Sequence, residues 1–209
     1  MQNARTESHA KRLVALVFAA VLALGMFAVA GCSSSNDEQV IRDGIAKELD
    51  IFKNPTKEAL QPYMDQMDSS QMAQLEALGI DLVEFLQHAL NKFDYEIGDI
   101  TVNGDKATAA LKVTNVDVST ITNDVMANIQ SDPEVAKKVQ EVVANGGGQK
   151  EAMAVVFGYL YDALDNATET ITTDTEITLT KDGNTWNVDQ DSMSGLLTGI
   201  YGDYSSIGN

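Results

Sequence analysis

The sequence predicts an α+β domain with one curved antiparallel sheet of about four strands packed against helices. Two β-hairpin signals support this fold class, because Asn103-Gly104 and Asp182-Gly183 each separate two runs of alternating apolar and polar residues. Apolar residues spaced by three and four occur before, between and after the hairpins, which is typical of amphipathic helices. We therefore expect residues 37–209 to form a single domain in the order helices, hairpin, helices, hairpin, short helix.

Four helical pieces are expected before the first hairpin. The first is predicted from apolar residues at helical spacing, namely Ile41, Ile45, Leu49 and Phe52. It should end at Asn54-Pro55, where Asn54 is expected to cap a second helix with Pro55 at its first position. Asp81 and Glu84 resemble a capping box for the fourth helix.

The strands are predicted from alternation of side chains. In the first strand the alternation changes parity at Gly98-Asp99, where we expect a β-bulge. The return strand should carry Ala107, Ala109, Leu111 and Val113 on one face and kink at Asn115. After an insertion of three helices between Ile121 and Leu164, the last hairpin should place Trp186 and Val188 on one face. A short C-terminal helix capped by Asp191 or Ser192 should follow.

Residues 1–31 have the form of a signal peptide: a polar start with three basic residues is followed by an uncharged apolar run that stops at Cys32. The last four residues of this stretch, Val29, Ala30, Gly31 and Cys32, resemble the lipobox of bacterial lipoproteins. The resemblance implies cleavage in front of Cys32 and lipidation of its sulfur. Residues 32–36 would then be a lipidated tether that holds the domain on the outer, extracytoplasmic face of the cell membrane.

An uncleaved anchor is the alternative interpretation of this stretch, because the apolar run approaches the roughly 20 residues that span a bilayer. Both interpretations place the domain outside the cytoplasm. Basic residues precede the run and Asp37 and Glu38 follow it, which is the positive-inside arrangement.

Cysteine count and charge limit the possible partners. Cys32 is the only cysteine, so no disulfide can stabilise the exported domain. The chain has a net charge of −17, and residues 1–31 carry +2 of it, which leaves −19 on the remainder. Such a surface repels nucleic acid and anionic headgroups. We therefore predict no nucleic-acid partner, and contact with the membrane only through the lipid on Cys32.

Three segments carry a family resemblance: the end of the first helix, KNPTKEAL; the first hairpin, NGDKATAALKV; and the last hairpin, TEITLTKDGNTWNV. They resemble exported bacterial lipoproteins with a cystatin-like, nuclear transport factor 2-like domain. The resemblance implies a sheet that curls around a cavity. Enzymes on this fold, such as ketosteroid isomerase and scytalone dehydratase, place acids or histidines there, but no position of this chain matches those residues.

Few residues are candidates for chemistry. His88 is the only histidine after residue 31, and one imidazole without a free thiol cannot build the usual structural zinc sites. We predict no metal site, no cofactor and no catalytic residue. Acid pairs such as Asp162 with Asp165 are interpreted as solvated surface rather than as a calcium site. If a pocket exists, its predicted lining is Tyr95, Tyr159, Tyr161, Trp186 and His88; core packing is the favoured interpretation of these aromatic residues.

Two functions of different classes follow from these observations. The leading hypothesis is a non-enzymatic domain of the cell envelope that binds an envelope protein or a small apolar ligand. The alternative is a small pocket enzyme of the isomerase or dehydratase kind that uses a tuned carboxylate and a tyrosine. The solute receptor of an importer is a weaker third hypothesis, because such receptors usually have two lobes.

Overall fold

The structure, a computed structural model, describes residues 28–30, 37–67 and 69–203. The helices are α1 Asp37–Lys53, α2 Lys57–Met64, α3 Ser69–Ala77, α4 Leu82–Ala89, α5 Val118–Ser131, α6 Pro133–Ala144, α7 Gln149–Asn166 and α8 Met193–Tyr201. The strands are β1 Ala28–Ala30, β2 Asp94–Asn103, β3 Lys106–Asn115, β4 Ile171–Asp182 and β5 Thr185–Val188. Gly31, Cys32 and the tether 32–36 lie outside the described residues, as does the predicted signal peptide apart from β1.

All strands belong to one antiparallel sheet in the order β1-β5-β4-β3-β2. Strands β2 to β5 form the four-stranded open sheet within the predicted domain, and β1 adds a fifth strand to the edge of β5. The α+β class and the single antiparallel sheet are thus confirmed. Curvature around a cavity and the nuclear transport factor 2-like assignment stay predictions.

Both predicted hairpins form at the predicted turns. Gly104 (φ +63°) and Gly183 (φ +61°) lie between paired strands in the left-handed conformation that glycine adopts without steric cost. The expected bulge is also present, because the register of β2 against β3 shifts between Ile97 and Ile100. That shift keeps the apolar residues of β2 on one face of the sheet on both sides of the irregularity.

Two details of the sequence prediction were wrong. β3 does not kink at Asn115 but ends there, and α5 begins at Val118 because Asp117 caps it by accepting a hydrogen bond from the Thr120 backbone N–H (2.9 Å). The Asn115 side chain is buried and donates to the carbonyls of Ala89 (2.9 Å) and Ile200 (2.7 Å), which joins the strand end to two helices.

The second error concerns the start of α2. Its N-cap is Thr56, whose hydroxyl accepts a hydrogen bond from the Ala59 backbone N–H (3.2 Å), instead of Asn54. Pro55 therefore precedes the cap and does not occupy the first helical position. Pro62 lies inside α2, which ends two residues later at Met64.

The core lies on one face of the sheet, the inner face. Alternate residues of β3 and β4 point into it, and α1 and α8 cover it. On α1 the four residues predicted from spacing are buried, and α8 contributes its own buried stripe. Helices α4 and α7 complete a single cluster of buried apolar side chains, which includes Leu86, Leu160 and Leu164.

The opposite, outer face of the sheet is polar. It carries charged residues and a set of half-buried or exposed threonines: Thr101, Thr108, Thr114, Thr172, Thr178 and Thr180. One solvated face is a common arrangement for an antiparallel sheet. None of the helices in the described ranges is long and apolar enough to cross a bilayer.

Candidate functional site

The cluster of His88, Asn91, Tyr161 and Asp165, which we call the His88 cluster, is where the structure brings predicted site residues together. Asp81 caps α4 by accepting hydrogen bonds from the backbone N–H groups of Val83 (2.9 Å) and Glu84 (3.2 Å). Helix α4 then buries Leu82, Phe85, Leu86 and Ala89, which leaves His88 beside the buried stripe and facing α7. Tyr161 and Asp165 are four residues apart on α7 and so share one face of that helix.

The imidazole of His88 is held on two sides. Its ring stacks on Tyr161 with the centroids 4.2 Å apart and an interplanar angle of 12°. Its Nδ1 lies 2.9 Å from Asp165 Oδ1, and the same oxygen accepts a hydrogen bond from Asn91 Nδ2 (3.1 Å). With Asp165 ionised, Nδ1 carries the proton in the neutral ring and Nε2 is the hydrogen-bond acceptor.

Exposure limits what this cluster can do. The side chain of His88 is 27% exposed and that of Asp165 is 49% exposed, so water screens the pair. Burial raises the pKa of Tyr161, and the nearby charges of Glu84 and Asp81 raise it further, so the phenol stays protonated. A carboxylate-oriented imidazole next to a neutral phenol can accept a proton or bind a ligand at Nε2.

The other predicted pocket residues lie elsewhere. Tyr95 faces α1, where its hydroxyl donates to the Ala46 carbonyl (3.1 Å) and to Asp50 Oδ1 (2.8 Å). Burial and, next, the hydrogen bond to Asp50 raise the pKa of this phenol. Tyr159 lies between α6 and α7 and accepts a hydrogen bond from Lys138 Nζ (2.8 Å). Their hydroxyl groups are thus engaged in contacts between secondary-structure elements.

Trp186 is fully buried on the inner face, close to the start of α1. Lys181 Nζ lies 5.2 Å from the centroid of its ring and 2.8 Å from Asp37 Oδ2. The hydrogen bond from Lys181 lowers the pKa of Asp37, with smaller contributions from the neighbouring indole N–H and the Lys181 charge.

The edge of β5 is a second distinctive region. Residues Thr185–Asn187 pair on one side with β4 and on the other with β1, which contains Val29 and Ala30 of the predicted lipobox. We call the side of β5 that faces β1 the β5 edge. Asp37, the first residue of α1, is anchored next to it by Lys181.

Sequence reasoning missed Asn91 and Asp165. Asp165 is 49% exposed, as the surface interpretation expects, and its side chain also joins α4 to α7 through His88 and Asn91. The two partners His88 and Asp165 are 77 positions apart, so no local spacing could have paired them. Across the described residues, no group of three or more histidine, cysteine, aspartate or glutamate side chains is placed to hold a metal ion.

Comparison with known proteins gives no relative: no family model, curated protein or solved structure matches the chain.

Proposed function

We propose that this chain is a lipid-anchored, extracytoplasmic lipoprotein whose domain acts by binding a partner in the cell envelope. The proposal rests on one observation: an uncharged apolar run ends in Val29, Ala30, Gly31 and Cys32, directly before the domain. Small residues at these positions admit a signal peptidase, and the single cysteine is the only sulfur that could accept the lipid at that place. The −19 charge of the remainder favours a protein or apolar partner over nucleic acid.

The arrangement of the aromatic residues supports binding over turnover. The hydroxyl groups of Tyr95 and Tyr159 are occupied by contacts with α1 and with Lys138. Trp186 packs under the Asp37–Lys181 ion pair. These contacts give each side chain a role in holding secondary-structure elements together, which is the core-packing interpretation of the aromatic set.

Cys32→Ala tests the anchor. We expect the variant to remain unprocessed and unlipidated, because the chain has no other cysteine. Intact mass and detergent phase partitioning of the native and variant proteins measure this. Ser33→Ala is a matched control that should leave processing unchanged. A Cys32→Ala protein that has lost residues 1–31 and still enters the detergent phase would contradict the proposal.

A small pocket enzyme is the second candidate, and the His88–Asp165 pair is the observation that favours it. A carboxylate that orients Nδ1 leaves Nε2 available as a general base, which is the arrangement used in many hydrolytic and isomerising sites. Asn91 restrains the same carboxylate oxygen. This candidate requires that the role of His88 be to act on a substrate rather than to stabilise the fold.

His88→Gln separates the two functions without a known substrate. If the His88 cluster is structural, the variant should lose about 0.5–1 kcal/mol of unfolding free energy, a small value because both partners are partly exposed. If the cluster is catalytic, the loss should be absent or reversed, because residues kept for function often reduce stability. Urea denaturation decides between these outcomes.

A further inference from the structure

The β5 edge is filled by a strand that the proposed processing removes. In the chain that retains β1, Ala28 is opposite Asn187, Val29 opposite Trp186 and Ala30 opposite Thr185 in antiparallel register. Among the described residues, β1 is the strand that covers this side of β5. This inference rests on the proposed function, because cleavage in front of Cys32 takes away the whole of β1.

Removal of β1 leaves backbone groups of Thr185–Asn187 without their partners. Unpaired N–H and C=O groups at a sheet edge are a template for another extended segment. The rest of the edge also has contacts that do not involve β1. β5 stays paired with β4 on its other side, and the Asp37–Lys181 ion pair, with side chains 11% and 17% exposed, fixes the start of α1 beside it.

We propose that the β5 edge of the cleaved lipoprotein binds an extended segment of another protein by strand addition, in the register that β1 occupies before cleavage. Backbone hydrogen bonds would supply the affinity and alternate side chains the specificity, as in other cases of β-augmentation. The segment that fits has small apolar residues, because the strand that pairs there has the sequence Ala-Val-Ala.

The charges of the chain favour a neutral segment of another protein over a second copy of this chain as the partner of the β5 edge. Lys181, the cation of β4, is paired with Asp37, so within the described residues of β4 and β5 no unpaired cation is available to attract an acidic chain. Two copies that each carry −19 would repel one another across a short strand. A neutral, small-residue segment meets neither obstacle.

The test uses the lipoprotein purified from membranes in detergent, with its intact mass establishing that residues 1–31 are absent. The probe is a fluorescent peptide with the sequence of residues 26–31, MFAVAG, carrying two added lysines for solubility. Fluorescence anisotropy measures binding, and hydrogen exchange locates it. We expect saturable binding and slower exchange confined to β5 amides.

Two control peptides make the test specific for strand pairing. One is N-methylated at the valine and the other at the alanine that precedes it, so each carries one added methyl group and their hydrophobicity is similar. Alternate N–H groups of a strand point to opposite edges, so only one of the two peptides blocks hydrogen bonds to β5. That peptide should bind about tenfold more weakly, which corresponds to the loss of one or two backbone hydrogen bonds. The unprocessed Cys32→Ala chain, whose edge is filled by β1, should also bind at least about tenfold more weakly.

Each contrary result has its own meaning. Equal binding of both methylated peptides would indicate partition into the micelle and would overturn strand addition, as would absence of binding to a chain shown by mass to be cleaved. A cleaved protein that sediments as a dimer through β5 would replace the proposed partner with a second copy. Retention of residues 1–31 would contradict the proposed function itself, and mass alone reveals it.

Discussion

Helix α8, which lies on the sheet, and helix α6, which is inserted between the hairpins, differ in how deeply they are buried. Helix α8 lies on β3 and β4 and buries Met193, Leu196, Gly199, Ile200 and Tyr201. Helix α6, in the insertion formed by α5, α6 and α7, buries Val135, while its Val143 is 59% exposed. It packs on α7 and α5 instead of on the sheet.

Both helices are amphipathic in sequence, so apolar spacing predicts that a helix forms but not how deep it lies. Depth depends on the partner surface. The sheet offers a broad apolar face on which a whole helical stripe is covered, whereas a neighbouring helix covers a narrower strip. We therefore expect substitutions on the inner face of the sheet to cost more than substitutions at less buried positions of the insertion, and three matched pairs test this difference.

The largest difference is expected for the aromatic pair Trp186 and Tyr159. Trp186→Ala removes a fully buried ring from the inner face and should cost about 3–5 kcal/mol of unfolding free energy. Tyr159→Ala, on α7, removes a half-buried ring whose hydroxyl binds the exposed Lys138, and should cost roughly 1 kcal/mol. Urea denaturation followed by far-ultraviolet circular dichroism measures both. A Trp186→Ala cost below about 1 kcal/mol would contradict its burial.

A glycine pair gives the next largest difference. A Cβ added at Gly199 of α8 would lie 3.0 Å from the Cβ of Val113 and 3.3 Å from that of Thr173, atoms that cannot move without the sheet backbone. Gly199→Ala should therefore lose about 1–2 kcal/mol, the cost of overpacking less the gain in helix propensity.

Its counterpart is Gly158→Ala in α7, where an added Cβ meets no atom within 4 Å. That variant should gain about 0.5–1 kcal/mol because alanine favours the helix. Thermal and urea melts of the two variants should shift in opposite directions. Shifts of the same sign would show that the close approach of α8 to the sheet is not rigid.

Local chemistry explains which parts of the fold could be predicted. The turns at Gly104 and Gly183 and the bulge between Ile97 and Ile100 depend on residues adjacent in sequence, and each formed where predicted. The sequence predicts that β3 continues past Asn115, because apolar Val116 and Val118 extend its alternating pattern. That prediction was wrong. The capping by Asp117 and the long-range bonds of Asn115 prevailed over that pattern.

The candidate site was less predictable because its contacts join distant elements. The spacing on α4 placed His88 beside a buried stripe, but nothing in the sequence indicated that α7 would supply Asp165. The pairing of Asp37 with Lys181 spans 144 positions and depends on α1 crossing the sheet beside β5. Such contacts follow from the packing of whole elements, which periodicity alone does not determine.

The smallest expected difference is in the stability contributed by two ion pairs, and it appears only at acidic pH. Asp37 is joined to Lys181 on the sheet side, and Glu141 is joined to Lys137 (3.7 Å) within α6, where the two side chains are 59% and 75% exposed. Water screens the second pair, so Glu141→Gln serves as the control at an exposed carboxylate.

Asp37→Asn should change that dependence, with a sign that follows from the direction of the pKa shift. The pKa of Asp37 is lowered from an ordinary value of 3.8 in the folded protein, chiefly by the hydrogen bond from Lys181. Its ionised form therefore stabilises the fold fully above the unfolded pKa. This contribution declines as the pH falls through 3.8 towards the lowered folded value and is absent below it.

The native protein should accordingly lose stability more steeply below about pH 4 than the Asp37→Asn variant. The variant's curve should be shallower but not flat, because hydrogen bonds from Lys53 and from Thr180 also lower the pKa values of Asp94 and Asp189, respectively. Urea denaturation midpoints measured between pH 2 and 7 test this. Two results together would contradict this assignment: parallel curves for native protein and Asp37→Asn, and a change in Glu141→Gln. They would place the stronger ion pair in α6 instead of on the sheet side. They would also contradict the role of the Asp37–Lys181 pair in holding α1 beside the β5 edge.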